Sequence, residues 1–158
     1  MFNPRAKTIE ELVMKIVSNS ATKDAEFSQR LTDELARSTN ATLPSLSVTE
    51  AHTIAAIGED PAISASSIAS TLGMTRGGVS KILSRLEAKG YVKAESRDDN
   101  CKERKLSLTE QGQLAFEAHA KLHQQKSARL LGLLDKYTDE ELDVLIRMLS
   151  DLVESESL

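Results

Sequence analysis

Aromatic residues make up only 3% of this 158-residue chain and tryptophan is absent. The apolar residues are mostly Leu, Ile, Val and Ala at helical spacing, so an α-rich fold with little sheet is expected. There is one cysteine, Cys101, which excludes an intrachain disulfide framework. No apolar run approaches the ~20 residues that span a bilayer. The opening stretch MFNPRAKTIEEL has no apolar h-region, so a cytoplasmic protein without a membrane partner is expected. Glycine and proline are missing between Arg5 and Leu43, so nothing forces a break there. Neither internal repeats nor low-complexity segments occur.

Acids are missing from Thr75 through Leu86, inside the stretch around which the chain is organised, Ile63 to Val92. A first short helix carries Ile68, Ala69 and Leu72 on one side, and Gly73 can leave it through positive φ. Thr75 is a good N-cap for a second helix whose Val79, Ile82, Leu83 and Leu86 fall at i, i+3, i+4 and i+7. Gly90 ends it. The opposite face holds Gly77, Lys81 and Ser84, flanked by Ser80 and Arg85, with Arg76 at the amino end. Small, hydroxylic and basic side chains suit a helix that enters a major groove, where base edges need hydrogen bonds and phosphates need cations. The pair Gly77-Gly78 weakens the helix by about 1 kcal/mol per glycine, which close approach to a partner would offset.

Tyr91 to Ser96 and Lys105 to Leu108 alternate as two strands, so Arg97 to Arg104 form a wing. Arg97, Lys102, Arg104 and Lys105 can reach DNA backbone or minor groove beside the recognition helix, with Asp98, Asp99 and Glu103 holding the arginines in position. A solvated turn is the plainer alternative. The net charge of −4 is unevenly spread, for residues 62–108 hold nine basic and five acidic residues. A basic reading head on an acidic scaffold fits that distribution.

Around this head the pattern is helical. Ile9, Leu12, Val13, Ile16 and Val17 form one stripe, and Phe27, Leu31 and Leu35 resume it in the same helix or a second one. Ser38 to Leu46 reads as a linker. Ser47 with Glu50 has the spacing of a capping box, Thr49 being an equally good cap, for a helix that Gly58 ends. Thr109 caps a long helix running to Tyr137. Thr138 with Glu141 caps the last helix, whose stripe is Leu142, Leu145, Ile146, Leu149, Leu152 and Val153. The terminal helices lack a core of their own in sequence, so they are expected to pack on each other and on a second copy. Such a two-fold dimer would present two recognition helices to a palindromic operator.

The fold class expected is therefore mainly α with a small two- to three-stranded β-wing, a winged helix-turn-helix with long terminal dimerisation helices. Residues 1–158 form a single domain: 5–44 the amino-terminal dimerisation helix and linker, 45–108 the DNA-binding lobe, and 109–158 the carboxy-terminal dimerisation helices.

Two of the three histidines, His119 and His123, stand at i and i+4, a spacing that lets two imidazoles grip one metal. Two exposed helix residues is the alternative. The intervening Ala120-Lys121-Leu122 lacks the glutamate of a metalloprotease motif, and no enzyme is expected. Cys101 falls in the wing and reads as an incidental thiol.

The order of a long helix, the TEAHTIAAI helix, ASSIASTLGMTRGGVSKILSRLEAKGYV, a charged wing and KLSLTEQG opening another long helix resembles the MarR family of bacterial transcription regulators. Val79 to Val92 and Leu106 to Gly112 are its most specific pieces. The resemblance implies an obligate homodimer, triangular in outline, that represses or activates and whose DNA binding changes with a small ligand, a metal or an oxidant. It makes Arg104 the tip arginine of the wing, although the usual Asp-x-Arg lead-in reads Lys102-Glu103-Arg104. The set also looks like the zinc-uptake repressor branch, which implies a single zinc site at Glu34, His52, His119 and His123. That branch's second site needs a cysteine near the place of Asn40, and its polyhistidine run is missing, so neither is carried over. The leading expectation is a sequence-specific, homodimeric regulator of a double-stranded DNA operator, with zinc as a candidate effector. Its alternatives are a regulator answering to a small organic ligand with any metal structural, a helical metal-binding protein, and a winged-helix protein-interaction module.

Overall fold

Capping chemistry sets most of the helix boundaries seen in the computed structural model, which describes residues 4–18, 20–39, 42–96 and 104–155. The order is α1 (Pro4–Ser18), α2 (Ser20–Thr39), α3 (Val48–Glu59), α4 (Ala65–Thr71), α5 (Arg76–Ala88), β1 (Val92–Ser96), β2 (Arg104–Leu108), α6 (Glu110–Leu134) and α7 (Asp139–Ser155). The expected winged helix-turn-helix, mainly α with a small sheet, is what forms, and the described sheet has two strands.

Ser47 is the cap of α3. Its Oγ accepts from Glu50 N at 3.2 Å while its own N–H donates to Glu50 Oε2 at 2.9 Å, a complete capping box. Thr49 is the second residue of the helix instead. Thr75 caps α5 by accepting from Gly78 N at 3.1 Å. Thr109 Oγ1 accepts from Gly112 N at 3.0 Å at the start of α6, and Thr138 with Glu141 forms the reciprocal pair that opens α7. Gly73 and Gly90 have φ of 62° and 78°, a left-handed turn that costs a glycine nothing sterically.

Three helix boundaries differ from expectation. α6 ends at Leu134, where the apolar pattern runs on to Tyr137. The linker starts later, because Ser38 and Thr39 hydroxyls donate back to the carbonyls of Glu34 and Leu35 and hold a last turn of α2. Gly58 lies inside α3, not at its end. A Cβ there would stand 2.6–2.8 Å from the ring of Phe116 on α6, so the missing side chain is a packing requirement.

The chain divides into two compact units, Met1–Ala120 and Lys121–Leu158. In the first, α3 is the central element, with Glu50, Ala51, Thr53, Ile54, Ala55, Ala56 and Ile57 all buried. A helix covered nearly all round needs small residues where neighbours approach, which its alanines provide. It packs against α2, α5 and β2, and α4 packs on α5. Val79, Ile82, Leu83 and Leu86 of α5 are buried as the periodicity predicts. The strands pair antiparallel with Val92 opposite Leu108 and Ala94 opposite Leu106, which leaves Glu95 facing Lys105 on the exposed side. At the junction with α6, a Cβ on Gly112 would overlap the Tyr91 carbonyl oxygen and lie 3.2 Å from Leu108 Cβ.

The second unit holds the later part of α6 and all of α7, and α7 buries none of its residues within this chain. No described helix is long and apolar enough to cross a membrane.

Candidate nucleic-acid interface and metal centre

The four buried apolar residues of α5 anchor it from one side, and the residues of its opposite face are all exposed: Arg76, Gly77, Ser80, Lys81, Ser84 and Arg85, with the cap Thr75. Ser84 Oγ donates to the Ser80 carbonyl at 3.1 Å, so the two serines lie one turn apart on that face. Nothing lies within 4 Å of where a Cβ on Gly77 would be, so no contact within the chain requires this glycine. The face thus combines three basic side chains, hydroxyls and a gap in side-chain bulk. Arg97 and Lys102 lie outside the described residues, as does the side chain of Arg104, whose backbone starts β2.

The metal candidates come from three helices. Leu31 and Leu35 of α2 are buried, and Glu34 between them is buried too, 9% exposed, with its carboxylate 3.2 Å from Arg37 Nη1. On α3, His52 turns towards α6, where its ring centroid is 5.3 Å from that of the buried His119, the planes almost perpendicular. α6 runs unbroken past the boundary between the units, so His123 follows His119 by one helical turn. A nitrogen from each of His52, His119 and His123 lies within 4.8 Å of the others. Glu34 is not a member of that group. An aromatic ring also touches two of these histidines. Phe27 of α2 meets His119 edge-on at 5.7 Å and His52 at 6.5 Å. Periodicity marks Phe27 only as a stripe residue, because its contact with two imidazoles depends on α2, α3 and α6 converging.

A second polar group lies on the far side of α3. Glu50, 3% exposed, receives Lys89 Nζ at 2.9 and 2.8 Å on its two oxygens, and the same ammonium donates to the Ser45 carbonyl at 2.8 Å. Burial alone would raise the Glu50 pKa. The hydrogen bonds from Lys89 and from the Ser47 backbone, with the lysine charge, outweigh it and hold the carboxyl below its ordinary value. Lys89 is the C-cap of α5, so the end of that helix is bonded to the start of α3. Two residues on, the Tyr91 hydroxyl donates to the Pro44 carbonyl at 2.6 Å. Burial pushes the Tyr91 pKa up, and the Glu50 charge adds to the rise against a hydrogen bond with Gln111. The capping box of Glu50 is legible in sequence, but its bond to a lysine 39 residues later is not.

An open groove of about 610 Å³ runs between α4, α5 and the sheet, lined in part by Ile63, Ser64, Ser80, Ser84, Lys105 and Leu106.

A sequence model of the MarR family matches residues 45–100. The chain is 33% identical over 108 residues to the uncharacterised HTH-type transcriptional regulator YhjH of Bacillus subtilis, an alignment covering 68% of this chain and 62% of that protein, so it spans less than two thirds of that relative. A zinc-responsive MarR family member of known structure, ZitR of Lactococcus lactis, is 30% identical with a TM-score of 0.63 over 70% of this chain and 76% of its own. FabT of Streptococcus pneumoniae, in complex with DNA, is 26% identical with a TM-score of 0.67 over 96% of this chain and 97% of its own.

Proposed function

This chain belongs to the MarR family, and on that premise we propose that it is a sequence-specific DNA-binding transcriptional regulator, a repressor acting as a homodimer on a palindromic operator. The observation that carries the reading is the outward face of α5: exposed, acid-free, and bare at Gly77 where nothing in the chain asks for a glycine. Lys81 and Arg85 neutralise phosphate or donate to guanine edges, Ser80 and Ser84 offer hydroxyls, and Gly77 lets the helix backbone come close to the groove floor. Thr75 and Arg76 meet the backbone at the helix start. The wing residues Arg97, Lys102 and Arg104 add contacts beside it. Residues 5–44 and 109–158 supply the dimerisation helices on either side of the lobe at 45–108.

Gel-shift titration on the chain's own upstream region tests this. Binding should prefer that sequence and weaken steeply with salt, and alanine at Lys81, Arg85 or Arg104 should cost about 1–3 kcal/mol where a base edge is lost. Binding indifferent to sequence and to all three substitutions would sink it.

For the effector we propose zinc. Zinc takes imidazole and carboxylate donors, usually four. His52, His119 and His123 present three imidazoles at one place, and Glu34, buried on the neighbouring α2, is the proposed fourth donor. The zinc-responsive ZitR, 30% identical, supports the choice. Zinc would link the dimerisation helices to the reading head and so change operator affinity by about 5–150-fold, the usual range of such coupling. Elemental analysis of protein purified without chelator, with operator affinity measured with and without zinc on wild type and His119→Ala, decides it. Absence of zinc from the wild type at micromolar metal would remove the effector and leave the regulator. The groove beside α5 favours a second reading, a small organic ligand as effector, with any metal structural.

A further inference from the structure

α3 bears two unlike attachments. His52 and Glu50 are two residues apart, which on an α-helix is about 200° of rotation, so the two side chains leave from nearly opposite sides. On one side His52 meets His119 of α6 and Phe27 of α2. On the other, Glu50 is bonded through both oxygens to Lys89, the residue that ends α5. Lys89 is also tied to the Ser45 carbonyl, and Glu50 to the Ser47 N–H, so the ion pair grips the first turn of α3 and the chain leading into it. Glu50 is buried to 3% exposure, so loss of Lys89 would leave its carboxylate buried without its charge partner.

A short buried helix moves as a unit. Any shift of α3 produced at His52 therefore arrives at Lys89, and from there at the carboxy-terminal end of the helix whose outer face is the proposed reading surface. We propose that the Glu50–Lys89 ion pair is the positioning contact through which the histidine cluster sets the placement of α5. This rests on the zinc reading above. It assigns the transmission to one polar contact, although α3 also packs directly against α5. The lysine holding two carboxylate oxygens and a carbonyl adds a directional constraint to that packing, because those donor–acceptor geometries permit little displacement.

The test is the ratio of operator affinities with zinc buffered in and with zinc chelated, read by anisotropy on a duplex from the upstream region. The full chain is compared as wild type, Lys89→Arg, Glu50→Gln and the double variant Glu50→Gln/Lys89→Met. The double variant removes both charges together and so avoids leaving one buried and unpaired. Glutamine keeps an oxygen for the Ser47 N–H, so the capping box survives.

If the pair transmits, the double variant loses most of the zinc ratio, from the wild-type value in the range of about 5–150-fold towards 1. The zinc affinity of the DNA-free protein, measured against a chromophoric chelator, stays at the wild-type value. Lys89→Arg, which keeps the charge and can donate to both carboxylate oxygens but has another length and shape, retains more of the ratio than the double variant does. A merely structural pair would shift the melting temperature and leave the ratio alone, and a wild-type ratio in the folded double variant overturns the proposal while sparing the zinc reading. Should the double variant not fold, Glu50→Gln is judged by the same ratio, with a partial loss expected. A wild type whose operator affinity ignores zinc overturns both.

Discussion

α5 and α7 carry apolar stripes of the same kind, and their fates within the chain are opposite. Every stripe residue of α5 is buried. In α7 none is, and Ile146 and Val153 remain 61% and 69% exposed. The contrast extends to the units that contain them. Residues 1–120 enclose side chains such as Leu31, Ile54, Ile68, Leu86 and Tyr91, while among described residues of 121–158 only Leu122 is buried. A periodic stripe states that a face must be covered and says nothing about what covers it. For α5 the cover is α3, α4 and β1. For α7 we propose a second copy of this chain, because isolated apolar patches of this extent are rare on monomers.

Breaking that proposed cover should have the largest effect. Leu149→Glu/Leu152→Glu would remove four leucines from a two-fold interface, at about 1.5–3 kcal/mol each, and should weaken dimerisation by more than about 1000-fold in sedimentation equilibrium. An unchanged dimer would show that α7 is covered by something other than its copy.

Gly112→Ala comes next. Its Cβ would overlap the Tyr91 carbonyl at the junction that fixes β1 against α6, so a loss of about 3 kcal/mol or more is expected in thermal or denaturant unfolding. The same exchange in the second unit should have the opposite sign. Gly132 sits inside α6 with nothing within 4 Å of a Cβ, and Gly132→Ala should stabilise by up to about 1 kcal/mol.

Gly77→Ala separates stability from recognition. It should also stabilise by up to about 1 kcal/mol, since nothing in the chain crowds that position, yet weaken operator binding in gel shift by blocking close approach. Unimpaired binding would return Gly77 to an ordinary solvated face.

The smallest effect is that of pH on Glu50. Its folded-state pKa is depressed below the ordinary 4.5, so the stability it contributes is present above pH 4.5 and is lost as pH falls through the folded value. Unfolding of wild type and Glu50→Gln should converge over that acid range, and a constant difference from pH 6 downward would contradict the depressed value.

Much of the fold is readable from short-range chemistry. Ser47, Thr75, Thr109 and Thr138 cap helices because their hydroxyls reach N–H groups three residues ahead, and that distance is set by the helix itself. Gly73 and Gly90 mark turns for the same local reason. The i, i+4 spacing of His119 and His123 is likewise a property of one helix. By contrast Gly58 looks like a terminator in sequence, and only the ring of Phe116, brought from α6, explains why a glycine sits inside α3. His52 joining His119, Phe27 closing on both, and Lys89 reaching Glu50 are all contacts between segments far apart in the chain.

The organising stretch from Ile63 to Val92 illustrates the division. Its helices, turn and exposed basic face follow from periodicity, capping and the absence of acids, which act over a few residues and are written in their order. Tertiary structure alone decides that α3 is buried nearly all round, with the histidine on one side and the ion pair on the other. Packing selects those partners because burying a carboxylate or an imidazole is favourable only where another element supplies the matching group, and no local pattern names that element.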